Sequence, residues 1–336
     1  MNQAEGTVAW PAIAGHHAPT AGQRAPAGSR MAVAVISWNT RELLRRCLTT
    51  ILDESPEEVV VVDNGSSDGS IDMVRTEFPH VRLELLPHNP GYGAAANVAF
   101  ACCRAEYVFL LNSDVELRPG ALHALVAHLD RCGRAGIVGP RLLNSDGTLQ
   151  KSTFPFPSPL VPLVKRRPLA DLLAVVPLLR DAFVGSWAHD HSRRVPWVLG
   201  AALAIRRTAY EAVGGFDETY VMYYEEVDLC YRLRRAGWET HFTPATEVTH
   251  VGGASTSQRR PEMLARLNLS AVDFHRRHHR GFVRSAAIDV LRATMLYRFC
   301  RDWLGHRLAR REQERRRYAE NLAVWREVLR RSSRAV

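Results

Sequence analysis

The densest chemistry in the chain lies between Asp217 and Asp228, where Asp217, Glu218, Glu225, Glu226 and Asp228 place five acids within twelve residues. Acids in a first helical turn are favoured by the helix dipole, so capping accounts for part of the group. Two adjacent glutamates beside Tyr220, Tyr223 and Tyr224, ahead of an apolar helix face, exceed what capping needs. One such carboxylate can deprotonate an attacking hydroxyl. Upstream, Asn112-Ser113-Asp114 offers three side-chain oxygens directly after an apolar run. That is the donor type a hard divalent cation takes, although a capped turn ahead of Pro119 fits the same residues equally well. Asp63 ends a run of four valines and opens the turn Asp63-Asn64-Gly65-Ser66-Ser67-Asp68-Gly69. Its carboxylate can accept a hydrogen bond from a pyrimidine imide or a ribose hydroxyl; a plain turn, with Asp68 capping the next helix, is the alternative. His250 stands alone after a strand-like run. A lone histidine is structural by default, but its neutral imidazole can complete a metal shell short of ligands.

Gly91-Tyr92-Gly93-Ala94-Ala95-Ala96 satisfies the dinucleotide fingerprint G-x-G-x-x-A, with an acid, Asp114, about twenty residues on. Two features count against a nicotinamide enzyme. The segment sits at the third strand–helix junction of its unit, whereas the fingerprint belongs to the first. The acid also lies in the Asn-Ser-Asp turn.

These clusters need elements that bring them together. Met31–Ser37 is an apolar run suited to a buried strand, and Arg41–Leu52 follows with helical spacing. Val59–Val62 reads as a second strand, with a helix from Asp68 through Phe78. A third strand is expected over Val81–Leu86, a helix over Tyr92–Arg104, and a fourth strand over Tyr107–Leu111. Strands that are apolar throughout, alternating with helices, predict an α/β fold with a mostly parallel central sheet covered on both faces. Ligands in such sheets bind beyond the carboxyl ends of the strands. Asn39, Asp63 with Asn64, the Asn89–Gly93 turn and Asn112–Asp114 all fall there, so four polar clusters converge on one crevice. Further on, Trp197–Ile205 reads as a strand, Glu225–Ala236 as a helix, Trp238–Phe242 as a strand, and the chain from Pro261 as helix.

The 336 residues are 46% hydrophobic and 24% charged, ordinary globular values. The net charge of +9 is unevenly placed. Residues 275–336 hold seventeen arginines, no lysine and six acids, a surplus of eleven, which leaves the remainder at −2. Such a tail fits an anionic membrane surface or an acidic partner. Nucleic acid fits less well, because the acidic body offers no companion basic groove. Ala287, Val290, Leu291, Thr294, Met295 and Arg298 can share one helical face, the pattern of a helix lying in an anionic interface. The alternative is that this stripe packs on the catalytic domain or on a second copy of the chain as a homodimer. Six cysteines without C-x-x-C pairing suit a reducing cytosol. Residues 1–30 lack a signal-peptide pattern and read as a disordered leader. The apolar segment 159–184 is too interrupted by charge to span a bilayer.

Taken in order, the motifs resemble the inverting glycosyltransferases of family 2, with the GT-A fold, and among them the bacterial rhamnosyltransferase-type enzymes of cell-wall and surface-polysaccharide synthesis. The stretches that carry the resemblance are Val35–Asn39, Val61–Gly69, Asn89–Gly93 with Asn97, Leu111–Asp114, Asp146–Gln150, Gly200-Ala201 with Arg206-Arg207, Gly214–Leu229 and His250. The resemblance implies a GT-A domain over 31–255, with a nucleotide-sugar half over 31–115 and an acceptor half over 116–255, followed by a basic helical extension over 256–336. It implies a donor site formed by Asn39, Asp63, Asn64, Asn89, Gly91, Tyr92, Gly93, Asn97, Asn112 and Ser113. Asp114 and His250 would hold Mg2+ or Mn2+, and Trp197, Gly200 and Ala201 would face the acceptor. The catalytic base falls at Glu226, with Glu225 and Asp228 as alternatives. A nucleotide-diphosphate sugar, with dTDP-L-rhamnose first, would be the donor, and a glycan or lipid-linked acceptor would receive the sugar at the cytoplasmic face of the membrane. Two positions depart from the family pattern. Asn112 replaces the first acid of Asp-x-Asp, and Glu226 replaces the usual aspartate base.

Overall fold

The computed structural model describes residues 30–158, 187–253, 258 and 260–333. The expected leader up to Ser29 and the apolar segment 159–184 lie outside the described residues.

Strand β1 (Met31–Ser37), helix α1 (Arg41–Asp53), β2 (Glu58–Asp63), α2 (Ser70–Glu77), β3 (Arg82–Leu85), α3 (Tyr92–Cys102) and β4 (Tyr107–Asn112) reproduce the expected alternation. Next come β5 (Val115–Leu117), α4 (Ala121–Arg131), β6 (Ala135–Leu143), β7 (Leu149–Gln150) and β8 (Thr153–Phe154). The chain resumes with β9 (Arg193–Val195), β10 (Trp197–Val198), β11 (Ala202–Arg206), α5 (Arg207–Ala212), α6 (Glu225–Arg235) and β12 (Glu239–His250). The main sheet runs β3-β2-β1-β4-β11-β6-β12-β5. Strands β3, β2, β1 and β4 pair in parallel, as do β6 and β12, while β11 is antiparallel to both its neighbours. Register decides where the site forms. Ser37 pairs with Asp63 and Ile36 with Asn112, so the carboxyl ends of β1, β2 and β4 lie level.

Alternate residues of each strand enter opposite layers, as a pleated strand requires. Val33 and Val35 pack with Leu44, Leu48, Phe109 and Leu122 beneath α1 and α4. Ala32 and Ala34 pack with Ala96, Leu110, Leu229 and Phe242 beneath α3 and α6. Small alanines on both β1 and α3 let that helix lie close to the sheet. Leu48 is fully buried, and its truncation to alanine would cost about 2–5 kcal/mol.

Two expected strands change form. Trp197–Ile205 is not one strand: β10 pairs with β8 in a separate two-stranded sheet, and β11 enters the main sheet only after a turn at Gly200-Ala201. The Leu199 N–H donates to the Ser152 carbonyl and the Ala201 carbonyl accepts from the Asn112 N–H, so neighbours on both sides fix that turn. An unbroken apolar run does not reveal it. The strand expected over Trp238–Phe242 continues to His250, with a register shift between Thr243 and Glu247 that the polar residues there concealed.

Three helices close the chain: α7 (Arg260–His278), α8 (Gly281–Leu308) and α9 (Glu312–Ser332). They share a core of Val272, Met295, Val324, Trp325 and Val328, with Leu291 and Phe299 packed against it. Asp302 is buried there and accepts hydrogen bonds from Trp325 Nε1 at 2.9 Å and Asn321 Nδ2 at 3.1 Å. This corrects the stripe expected to meet a membrane: Ala287 and Met295 are buried and Leu291 packs on the same core. The opposite side of α8 instead exposes Phe282, Leu296, Tyr297, Trp303, Leu304 and Leu308. No helix among the described residues is long and apolar enough to cross a membrane.

Candidate active site

At the end of β2, Asp63 is buried and its Oδ1 accepts the Ser66 N–H at 2.7 Å, which closes the turn. Its Oδ2 and the Oδ1 of neighbouring Asn64 are buried without a partner. Buried acceptors of this kind are rarely left unmatched in a folded chain. Asn39, in a left-handed conformation (φ +51°), binds the same turn from β1: its N–H donates to Ser66 Oγ and its Oδ1 accepts the Ser67 N–H. Asp68 accepts from the backbone of Ser70 and of Arg41, so it anchors the starts of α2 and α1 together, but from one residue before the cap position expected for it, which Gly69 takes.

The Asn89–Gly93 turn closes the next side. Asn89 Oδ1 accepts the Gly91 N–H at 3.0 Å. Gly91 (φ +112°) lies so close to Val221 that a Cβ would stand 2.1 Å from its carbonyl oxygen, and that oxygen accepts the Tyr92 N–H. Only glycine meets both demands. Gly93 lets α3 approach the Glu225 side chain and Phe216. Asn97 stands one turn further along α3 with its amide fully engaged: Nδ2 donates to the Phe216 carbonyl and to Glu218, while Oδ1 accepts from the Phe216 N–H and from Tyr210. It braces the turn ahead of α6.

At the end of β4, Ser113 is buried and exchanges a hydrogen bond with Thr40 at 2.6 Å, so its hydroxyl points inward. Asp114 turns the other way. Its Oδ2 accepts the Gly252 N–H at 3.1 Å, and its Oδ1 lies 3.4 Å from His250 Nε2. Gln150 donates through its Nε2 to the carbonyl of His250 and to Asn144, which leaves its Oε1 to accept from His250 Nδ1 at 2.7 Å. With the hydrogen on Nδ1, the Nε2 lone pair faces the carboxylate oxygen of Asp114. The Asn112 Nδ2 stands 3.5 Å from the same nitrogen, a long contact. The His250 nitrogen and the Asp114 oxygen, both acceptors, converge at 3.4 Å, the kind of pair a cation bridges, and an orienting amide behind a histidine is a usual support for a metal ligand. The residues therefore fit a divalent ion. Gln150 is the contributor that site reasoning missed; its only sequence signal is its place in the Asp146–Gln150 stretch.

The two glutamates open α6. Tyr223 and Tyr224 precede them with φ +64° and +72°, consecutive left-handed residues whose strain needs support from elsewhere. Glu225 lies against Gly93, and Glu226 lies against Gly200, whose Cβ, if present, would be 3.6 Å from the glutamate Cβ and Cγ. The Tyr92 hydroxyl donates to the Gly200 carbonyl at 2.9 Å, tying the Asn89–Gly93 turn to the Gly200-Ala201 turn. Burial pushes Glu225 well above the usual carboxylate range, and the neighbouring Glu226 adds to this. Burial also raises Glu226, although backbone amides, Gly200 among them, favour its ionised form. One oxygen of each carboxyl has no partner. Burial, then Glu225, Glu226, Tyr210 and Asp114, likewise push the Tyr92 phenol upward. Asp228 faces elsewhere: Arg232 Nε donates to one oxygen and His278 Nε2 to the other, both at 2.6 Å. Those bonds outweigh its burial and hold its pKa below the ordinary aspartate value. Trp197 stacks on Phe154 and donates to the Pro155 carbonyl at 2.9 Å, which positions β10 beside the Gly200 turn.

Known proteins resemble this chain in sequence and in fold. The profile described as Glycosyl transferase family 2 matches residues 32–171. The N-acetylglucosaminyl-diphospho-decaprenol L-rhamnosyltransferase of Mycobacterium tuberculosis is 32% identical over 283 residues, 79% of this chain and 90% of that one. The pre-mycofactocin glycosyltransferase of the same organism is also 32% identical over 71% of this chain, which spans about half of that protein's length (46%). Among solved structures, GalNAc-T7 with UDP, GalNAc and Mn2+ superposes with a TM-score of 0.50 at 16% identity, over 66% of this chain and 43% of that one. At that identity the likeness is one of fold, and it is the GT-A fold, with a mostly parallel sheet and, here, a helical C-terminal region. Nearly a third of residues shared along most of a rhamnosyltransferase, in a chain whose polar clusters meet at the sheet's carboxyl edge, makes this protein a member of glycosyl transferase family 2.

Proposed function

We propose that this glycosyltransferase works with inversion and a divalent metal, moving L-rhamnose from a dTDP donor to a polyprenyl-diphosphate-linked glycan. The observation that carries the reading is how near two sites lie: Asn112, 3.5 Å from His250 of the Asp114–His250 pair, donates its N–H to Ala201, and the preceding residue, Gly200, lies against the buried Glu226. The unpartnered Asp63 oxygen accepts the imide N–H of the donor base. Asn39, Asn64 and the Asn89–Gly93 turn hold the rest of the nucleotide. Asp114 and His250 would hold the metal, with Asn112 beside them, and a bound ion would offset the charge that builds on the leaving diphosphate. Glu226 takes the proton of the acceptor hydroxyl as its oxygen bonds the anomeric carbon, and the bond to the diphosphate breaks on the opposite face. Asp228 organises α6 and α7, and Glu225 flanks the base. The printed name of the mycobacterial relative supports both rhamnose and the lipid-linked acceptor.

A lipid-linked acceptor brings the enzyme to a membrane surface. The face suited to it is the outer side of α8, where Phe282, Leu296, Trp303 and Leu308 stand exposed with Arg284, Arg301 and Arg307 exposed on the same helix. An apolar strip with arginines alongside is the composition of an interfacial helix. The test of the whole reading is release of nucleoside diphosphate from a panel of nucleotide sugars, with Mn2+ or Mg2+ and a polyprenyl-diphosphate N-acetylglucosamine acceptor. Turnover of dTDP-rhamnose above the others supports it. Acceptor-dependent release only from another sugar would overturn the rhamnose reading, and full activity in chelator would overturn the metal.

A further inference from the structure

At the end of the sheet away from the donor crevice, α4 and the start of β12 bring together three side chains that the transfer reaction does not use. His128 and Cys132 stand one turn apart on α4 and at its C-cap, and His241 is the third residue of β12. His128 Nε2 lies 3.0 Å from His241 Nδ1, and these nitrogens and the Cys132 sulfur all lie within 4.8 Å of one another. His241 is nine residues before His250, so about 25–30 Å of strand separates this cluster from the proposed donor-site metal.

We propose that His128, Cys132 and His241 form a zinc-type metal site that clamps α4 to β12, with an outer position open to water. Two imidazoles and a thiolate are the donor set of borderline-soft ions such as Zn2+. Tetrahedral zinc separates two nitrogen ligands by about 3.3 Å and nitrogen from sulfur by about 3.6 Å. The histidine pair therefore opens by a few tenths of an ångström and the half-buried Cys132 turns inward by about 1 Å. The tautomer is set in advance: Glu239 Oε2 accepts from His241 Nε2 at 3.0 Å, which leaves the Nδ1 lone pair facing the cluster. A carboxylate behind a ligating histidine is the usual outer support of a metal site. Glu239 is itself held by Arg194 at 3.3 Å, with Arg134 at 3.9 Å. Binding moves the His128 hydrogen from Nε2 to Nδ1, which frees Nε2 as a ligand, and releases the thiol proton of Cys132.

The experiment is a titration of chelator-stripped, reduced, tag-free full-length protein with Co2+, followed by displacement with Zn2+. One equivalent should develop strong tetrahedral bands together with a thiolate-to-cobalt charge-transfer band, and Zn2+ should bleach both. Cys132→Ser should abolish the charge-transfer band and weaken cobalt binding at least about tenfold, since a site of three protein ligands has lost its only thiolate. Asp114→Asn should leave the spectrum unchanged, which separates this site from the oxygen-rich donor site. In the unmutated protein, Zn2+ should slow alkylation of Cys132, mapped by peptide mass, more than that of exposed Cys300. Absence of the charge-transfer band, its persistence in Cys132→Ser, or equal alkylation of Cys132 with and without Zn2+ would each overturn the site.

Discussion

Glu226→Gln tests the centre of the mechanism because it removes a proton acceptor without changing volume. A positioned general base supplies about 10²–10⁴ in rate, which is about 3–5 kcal/mol of barrier at 1.36 kcal/mol per decade. The transfer rate measured by product formation at saturating donor and acceptor should fall by that factor, while donor affinity, read by titration of the nucleotide sugar, stays within about twofold. Burial raises the Glu226 pKa above its ordinary 4.5, and only the ionised form is a base. The unmutated enzyme should therefore lose kcat/KM as pH falls through that raised value, and the residual rate of the variant should lack this limb. Stability moves in the opposite direction. The unfolded chain ionises at the ordinary pKa and the native state resists, so above that value the buried carboxyl destabilises the fold. Gln removes the burden, worth about 1 kcal/mol or more for a buried group with an unmatched oxygen. The thermal midpoint near neutral pH should rise by about 2–4 °C, and the gain should vanish in acid below the ordinary carboxylate pKa. If Glu226→Gln keeps its rate while Glu225→Gln is inactive, the base is Glu225 and the reasoning from the Gly200 contact fails.

Asp114→Ala should abolish turnover and remove the Mn2+ dependence of donor binding; near-normal, metal-dependent activity would refute its role as a ligand. Asp228→Asn should leave the base in place but loosen the α6–α7 junction, lowering stability by about 2–3 kcal/mol through loss of charge-assisted bonds to Arg232 and His278. Because the Asp228 pKa is depressed, its contribution is present above the ordinary aspartate pKa and lost as pH falls through the native value; denaturant melts of both proteins across that range check the sign. Gly91→Ala should weaken donor binding at least about tenfold, since displacing Val221 disturbs the turn that carries Asn89 and Tyr92; unchanged affinity would show that the turn is not part of the donor site. Leu296→Asp combined with Trp303→Asp should reduce co-sedimentation with anionic vesicles about tenfold and leave the melting point nearly unchanged, whereas Met295→Asp should unfold the helical region instead.

Much of the first four strand–helix steps was legible before any coordinates. Four apolar runs, each followed by a polar cluster, place Asn39, Asp63, Asn89 and Asn112 at strand ends because a parallel sheet sends all those ends to one edge. Local chemistry also fixed Asp68, whose short carboxylate reaches the Ser70 amide two residues on, whereas the demand for glycine at 91 comes from Val221, far along the chain. Roles that depend on partners distant in the chain were not legible. Asp228 looks as suitable a base as Glu226 until His278, fifty residues on, is seen to bind it, and Asn97 looks like a ligand residue until Phe216 and Glu218 engage its amide. The α8 stripe shows the same limit most plainly. The helix is apolar on two sides, so its periodicity cannot say which side turns inward. That choice belongs to Trp325 and Val328 of α9, which bury Met295 and leave Leu296 and Trp303 facing water. Period and turn chemistry are properties of neighbours in the chain; which face is buried, and which carboxylate stays unpartnered, are set only when remote segments pack.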